Sequence, residues 1–217
     1  MTPDNIEAKA RDWLLQIEQS VSRRTHMTLK PETCGLLVID AQVYFATPNG
    51  RAFQPAATAV VPRIQRLVHL WRERGFKVAF TRHCHEGPHD LGMLGRFFKD
   101  YIRHDEPDSS LVPELTPLPS EPVFQKATYD AFFGTDLQGW LQQEGLTQVL
   151  IAGMLTQLCC ETTARAAFVR GFEVYVVADA MLTSSEGLHV GSLLGLASGV
   201  AIVLTTEETE ASCFPTR

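Results

Sequence analysis

The 217-residue sequence contains no long hydrophobic run. A membrane-spanning helix needs roughly 18 to 20 apolar residues in succession, and the longest runs here fall far short, so no membrane partner is expected. A basic excess is also missing: 19 Lys and Arg stand against 25 Asp and Glu, for a net charge of -6. The cations are scattered, so no patch is available to neutralise phosphates and nucleic acid is excluded as the expected partner. Cysteines are few and odd in number (Cys34, Cys84, Cys159, Cys160, Cys213), at no zinc-ribbon spacing, and the polar opening MTPDNIEAKA is no signal peptide. Together these point to a reducing cytoplasm. There is no internal repeat, low-complexity segment or shift in composition. What remains is an ordinary globular composition, 45% hydrophobic and 20% charged, long enough for one α/β domain around a sizeable core. A small-molecule substrate is the default partner.

Periodicity supplies the elements. Residues 5–22 place Ile6, Ala10, Trp13, Leu14, Ile17 and Val21 on one helical face, an apolar stripe that must cover its own domain or a second subunit. Residues 35–39 are continuously apolar, as in a strand buried on both faces, and Asp40 ends them. A loop over 46–55 leads to a helix over 56–74, stopped by Gly75, and a second strand over 76–81; this βαβ unit implies a parallel pair joined by a right-handed crossover. From 82 to 121 the pattern dissolves into Pro, Gly, His and acids, with a short helix near 93–101. Segments of that kind line or cover active sites.

A third strand follows over 122–125, leading into Lys126, then a helix over 135–143 capped by Thr135 or Asp136. The fourth strand spans 149–152, and a helix beginning near Cys159 runs to Arg170. The fifth strand, 174–178, is ended by Asp179. A helix over 188–198, a sixth strand over 200–204 and a polar, exposed tail from Thr205 close the chain. The sum is a doubly wound, mostly parallel six-stranded α/β sheet with helices on both faces, which places a ligand at the carboxyl ends of the strands.

Three reactive side chains fall on that edge. Cys159 sits where strand gives way to helix, and the unpaired N–H groups of a helix's first turn favour thiolate and a developing oxyanion. A thiol attacking a carbonyl needs a base for its proton and a cation nearby. Asp40 and Lys126 are of the types required.

The motifs Leu37-Val38-Ile39-Asp40-x-Gln42-x-x-Phe45, Thr81-Arg82, Lys126 with Ala131-Phe132-x-Gly134-Thr135-x-Leu137, Gly153-Met154-x-Thr156-x-x-Cys159, Thr163-Ala164-Arg165 and Val177-x-Asp179-Ala180 resemble the isochorismatase-like cysteine hydrolase superfamily. That group includes nicotinamidases, N-carbamoylsarcosine amidohydrolases and ureidoacrylate or biuret amidohydrolases. The resemblance covers roughly residues 34 to 206, leaving an N-terminal helical extension over 1–30 and a hydrolase domain over 31–217. It implies a triad of Asp40 as base, Lys126 as cation and Cys159 as nucleophile. It also implies an oxyanion hole from the backbone N–H groups of Leu155 and Cys159, with a cis peptide at Met154-Leu155. The implied activity is C–N hydrolysis of a small amide, ureido or carbamoyl compound through a thioester, with no cofactor, in a homo-oligomer (dimer or tetramer).

Tyr44, Phe45 and Phe132 are expected to wall the substrate pocket, and Arg82 to bind a substrate carboxylate. Cys160 is expected to pack in the core. His83, His85, His89 and Asp90 are of metal-binding types, but the Asp-x-His pair of metal-dependent nicotinamidases is missing, so no metal is expected and these histidines face solvent or substrate. The alternatives are a metal-dependent nicotinamidase and a non-catalytic, ligand-binding or redox-responsive member of the fold.

Overall fold

The computed structural model describes residues 1–22, 24 and 26–213. The elements are α1 (Ile6–Ser20), β1 (Cys34–Ile39), α2 (Val43–Ala46), α3 (Ala57–Glu73), β2 (Val78–His83), α4 (Leu94–Phe97), β3 (Val123–Lys126), α5 (Leu137–Gln143), β4 (Gln148–Met154), α6 (Glu161–Val169), β5 (Glu173–Leu182), α7 (Glu186–Gly199), β6 (Ala201–Leu204) and α8 (Thr206–Cys213). The strands form one sheet in the order β3-β2-β1-β4-β5-β6, every neighbouring pair parallel. β1 and β4 are buried at every residue, as central strands covered on both faces must be. Right-handed crossovers from this order place α3 on one face and α6 and α7 on the other. The direction of winding reverses between β1 and β4, which opens a crevice beyond their carboxyl ends.

The N-terminal stripe is covered by its own chain. Ile6, Ala10, Trp13 and Ile17 are buried, Trp13 Nε1 donates to Glu186 of α7 at 2.9 Å, and Glu7 pairs with Arg63 of α3 at 2.8 Å. That face therefore gives no support to an oligomer.

Several boundaries differ from the sequence reading. β2 begins at Val78, not 76, because the Gly75 and Phe76 amides are spent on Arg72 and Trp71 carbonyls, closing α3, with Gly75 in the left-handed region at φ 69°. At α5 it is Thr135 whose hydroxyl accepts from the Leu137 amide (3.3 Å); the Asp136 side chain makes no capping bond. Asp179 does not end β5. It is buried inside the strand, where its carboxylate accepts from the Thr206 amide and hydroxyl at 2.7 and 2.9 Å. Those bonds start α8, so the tail expected to be exposed is, as far as Cys213, a helix with Thr206, Thr209 and Cys213 buried; its residues 214–217 lie outside the described residues. Hydrophobic patterning could not reveal a helix whose buried side is threonine and cysteine.

Candidate active site

β1 ends in Asp40, whose backbone takes φ 47°, a left-handed conformation that Asp tolerates better than most side chains. The turn aims the carboxylate inward. The Asp40 amide donates to Thr81 Oγ1 (3.1 Å), and that hydroxyl donates to Asp40 Oδ1 (2.7 Å). Two residues on, buried Gln42 donates to the carbonyls of His83 and Ser109 (3.0 and 2.9 Å) and accepts from the His83 amide (2.8 Å). Gln42 thereby clips the ends of β1 and β2 to the segment that closes over them.

Lys126 is the last residue of β3, beside His83 in the register. Its Nζ lies 2.6 Å from Asp40 Oδ2, 3.0 Å from the Thr128 carbonyl, 3.3 Å from Cys159 Sγ and 3.4 Å from His83 Nδ1. Burial opposes its charge, but Asp40 and Cys159 outweigh that and hold its pKa above the ordinary value. Cys159 closes the third side. The helical winding behind it begins earlier than the sequence suggests, as one π-helical turn over Thr156–Cys160 ahead of α6. The Met154–Leu155 peptide is cis. Gly153, at φ 127°, lies so close to β1 that a Cβ there would sit 2.0 Å from the Ile39 carbonyl oxygen; only glycine lets β4 deliver the turn against Asp40.

The structure thus brings Asp40, Lys126 and Cys159 together from strand ends far apart in sequence. Burial pushes the Cys159 thiol up to about 12 against the opposing pull of Lys126, with the Asp40 charge adding to the rise. The resting group is a thiol beside an Asp–Lys ion pair. Asp40 Oδ2 has no aligned hydrogen bond among the described residues; its contact with Lys126 is an ion pair, which leaves a lone pair for a proton. His83, which the sequence places only in a histidine cluster, belongs to this group. Burial, then the Lys126 charge, lower its pKa to about 4, so it is neutral at pH 7. Its position at the end of β2, opposite Lys126, was the signal that could have placed it.

A cavity of about 400 Å³ opens on Cys159. Leu155, Leu158, Tyr129 and His83 surround the thiol; Tyr44, Phe45, Ala52 and Gln54 form one wall. Eight of the sixteen lining residues (His83, His85, Leu94, Phe98, Lys99, Asp100, Tyr101 and Ile102) come from the segment over 82–121, which agrees with its expected covering role. Arg82 and Phe132 are not brought to the cavity. Arg82 donates to Gln125 at 2.7 Å, because alternation along β2 sends it to the opposite side from Thr81 and His83. Phe132 stacks on Phe172 beneath Arg170. Cys160 is fully buried.

The histidines do not form a metal centre. Among the described residues the group of ligating side chains close enough to share an ion is Asp40, His83 and Cys159, whose donor atoms lie within 4.8 Å of one another. The Lys126 ammonium contacts all three, so a divalent ion would meet a fixed positive charge. His85 Nδ1 lies against Asp90 at 3.2 Å. No helix among the described residues is long and apolar enough to cross a membrane.

Residues 34–208 match the Isochorismatase domain family. The chain is 35% identical over 200 residues to nicotinamidase 3 of Arabidopsis thaliana, covering 89% of this chain and 97% of that one. The fold superposes with a TM-score of 0.82 on a cysteine hydrolase from Pseudomonas syringae pv. phaseolicola 1448A, at 24% identity over 86% of this chain and 94% of that one. An N-carbamoylsarcosine amidase from Thermoplasma acidophilum gives 0.72 at 23% identity, over 81% and 97%. The domain match spans most of the chain and the relative matches nearly end to end, so the protein belongs to the isochorismatase family of hydrolases.

Proposed function

We propose that the protein is a cysteine-dependent amidohydrolase that cleaves the C–N bond of a small amide, ureido or carbamoyl compound. The observation that carries this reading is the buried contact of Lys126 with both Asp40 (2.6 Å) and Cys159 (3.3 Å), behind a cavity that Cys159 lines. Asp40 takes the thiol proton as Sγ attacks the substrate carbonyl, and the adjoining Lys126 stabilises the anionic sulfur. Charge moves to the carbonyl oxygen, and the N–H groups of Leu155 and Cys159 hold it. The tetrahedral adduct expels ammonia or an amine, which leaves with the proton from Asp40, and an S-acyl enzyme remains. Water then gives a proton to Asp40 and attacks the thioester; the acid departs and Sγ recovers its proton. His83, neutral and against Lys126, shields this corner without adding charge.

Cys159→Ala is expected to lower kcat at least about 10³-fold on any amide that the wild type hydrolyses. Ammonia release measured with the purified variant tests this, and full activity would overturn the reading. A nicotinamidase is the second reading, favoured by the 35% identity to the Arabidopsis thaliana protein of that name. Its metal-dependent form is disfavoured by the absence of an Asp-x-His pair from the sequence. Nicotinate formation from nicotinamide at a rate exceeding that on other amides would select it.

A further inference from the structure

The cavity above Cys159 constrains the body of the substrate. Resting on the amidohydrolase reading, we propose that this body is uncharged, aromatic or apolar and larger than a single ring, and that amides or ureides bearing a carboxylate are poor substrates. The whole cavity that Cys159 lines is about 400 Å³, within the range of roughly 300 to 1,000 Å³ that accommodates drug-sized ligands, and a carboxamide or urea group at the thiol fills only a small part of it. The surfaces facing this space are rings and alkyl groups: Tyr44, Phe45, Leu94, Phe98, Tyr101 and Ile102. Two of the rings are fixed edge-to-face, Tyr44 on Phe45 at 4.8 Å and Tyr101 on His85 at 5.9 Å, a preformed lining suited to a flat apolar guest.

Charge points the same way. Lys126 is neutralised by Asp40. On the wall, Asp100 is held by the Tyr44 hydroxyl at 2.9 Å and by Arg51 at 3.3 Å. Arg51 stands behind Tyr44, outside the lining, and also pairs with Glu106 (2.7 Å) and Asp108 (3.5 Å). Three carboxylates around one guanidinium leave that side net negative, which opposes an incoming anion. Among the described residues no arginine lines the cavity, and Arg82 is turned to Gln125. Exposed Lys99 is the one cation on the lining. A carboxylate drawn inside would surrender its hydration without a buried partner, whereas a ring would gain apolar burial.

The test is kcat/KM for ammonia release from matched amides: benzamide, 2-naphthamide, a carboxylate-bearing partner of each, and N-carbamoyl amino acids. The expected result is an advantage on the order of tenfold or more for the uncharged member of each pair, with 2-naphthamide at least equal to benzamide. Leu94→Trp, which narrows the cavity, is expected to lower turnover of 2-naphthamide relative to benzamide; an unchanged ratio overturns the size assignment. Preference for the carboxylate-bearing members overturns the charge assignment, and loss of that preference in Lys99→Ala would locate anion recognition at the mouth. If no amide is hydrolysed, the amidohydrolase reading fails, and calorimetric binding of the same pairs to the wild type still decides this inference. Tighter binding of the uncharged members supports it, and equal or weaker binding overturns it.

Discussion

Lys126 is a buried ammonium, held by a carboxylate, a carbonyl and a thiol. Lys126→Met leaves Asp40 buried without its counter-charge and is expected to cost about 3 to 5 kcal/mol, read as a lower urea midpoint. Cys159 presents the opposite case. With its pKa at about 12, the thiol is un-ionised at neutral pH, and thiolate is the reactive form. Iodoacetamide labelling of Cys159, followed by mass spectrometry, should therefore be slow at pH 7 and rise by about tenfold per unit up to pH 9. A rate that is already flat between these values would contradict it. Slow oxidation at neutral pH would also set this protein apart from a thiol-based redox sensor. Sequence suffices to name Asp40, Lys126 and Cys159 only in combination, through their joint placement near strand ends and the motifs around them that carry the resemblance. It does not suffice for His83, which looked like one of several loop histidines until the register of β2 against β3 set it beside Lys126.

At the scale of elements, the turn that carries Cys159 is braced from behind by helices remote in sequence. Buried Thr156, which opens the turn, shares a hydrogen bond of 2.9 Å with His189 Nδ1 of α7. His189 in turn packs edge-on to Trp13 of α1, ring centroids 4.5 Å apart. The N-terminal helix is thus continuous with the support of the active site. Trp13→Ala empties a fully buried site and is expected to cost about 3 to 5 kcal/mol, a Tm lowered by roughly 6 to 20 °C for a chain of this size; a scan showing no change would detach α1 from the core. Strands and long helices were legible because their apolar periods are local. The start of β2 was not, because the local backbone bonds that close α3 delay it, and the end of β5 and the whole of α8 were not, because Asp179 and Thr206 meet only in the fold.

For the whole molecule, acid is the weak side. Burial holds His83 and His189 at about 4 rather than the ordinary 6.5, with Lys126 adding to the effect at His83. Between those values the unfolded chain binds more protons than the folded one, so stability falls as pH is lowered through that window and is fully restored above about 6.5. The two histidines together should account for a loss on the order of a few kcal/mol, read from denaturant midpoints between pH 7 and 4. His189→Gln should flatten part of that slope.

The amino-acid sequence by itself determined the alternation of strands and helices, hence a doubly wound sheet, and the three reactive residues at strand ends. These follow from local pattern: apolar periods, turn punctuation and the residue types where they stop. Tertiary structure alone decided that the sheet runs β3-β2-β1-β4-β5-β6, that Arg82 turns away while His83 turns in, and that the segment over 82–121 supplies half the cavity's lining, with Asp100 already held by Tyr44 and Arg51. The reason is physical. A side chain's destination at the end of a strand depends on register and packing against residues tens of positions away, and no local period encodes that.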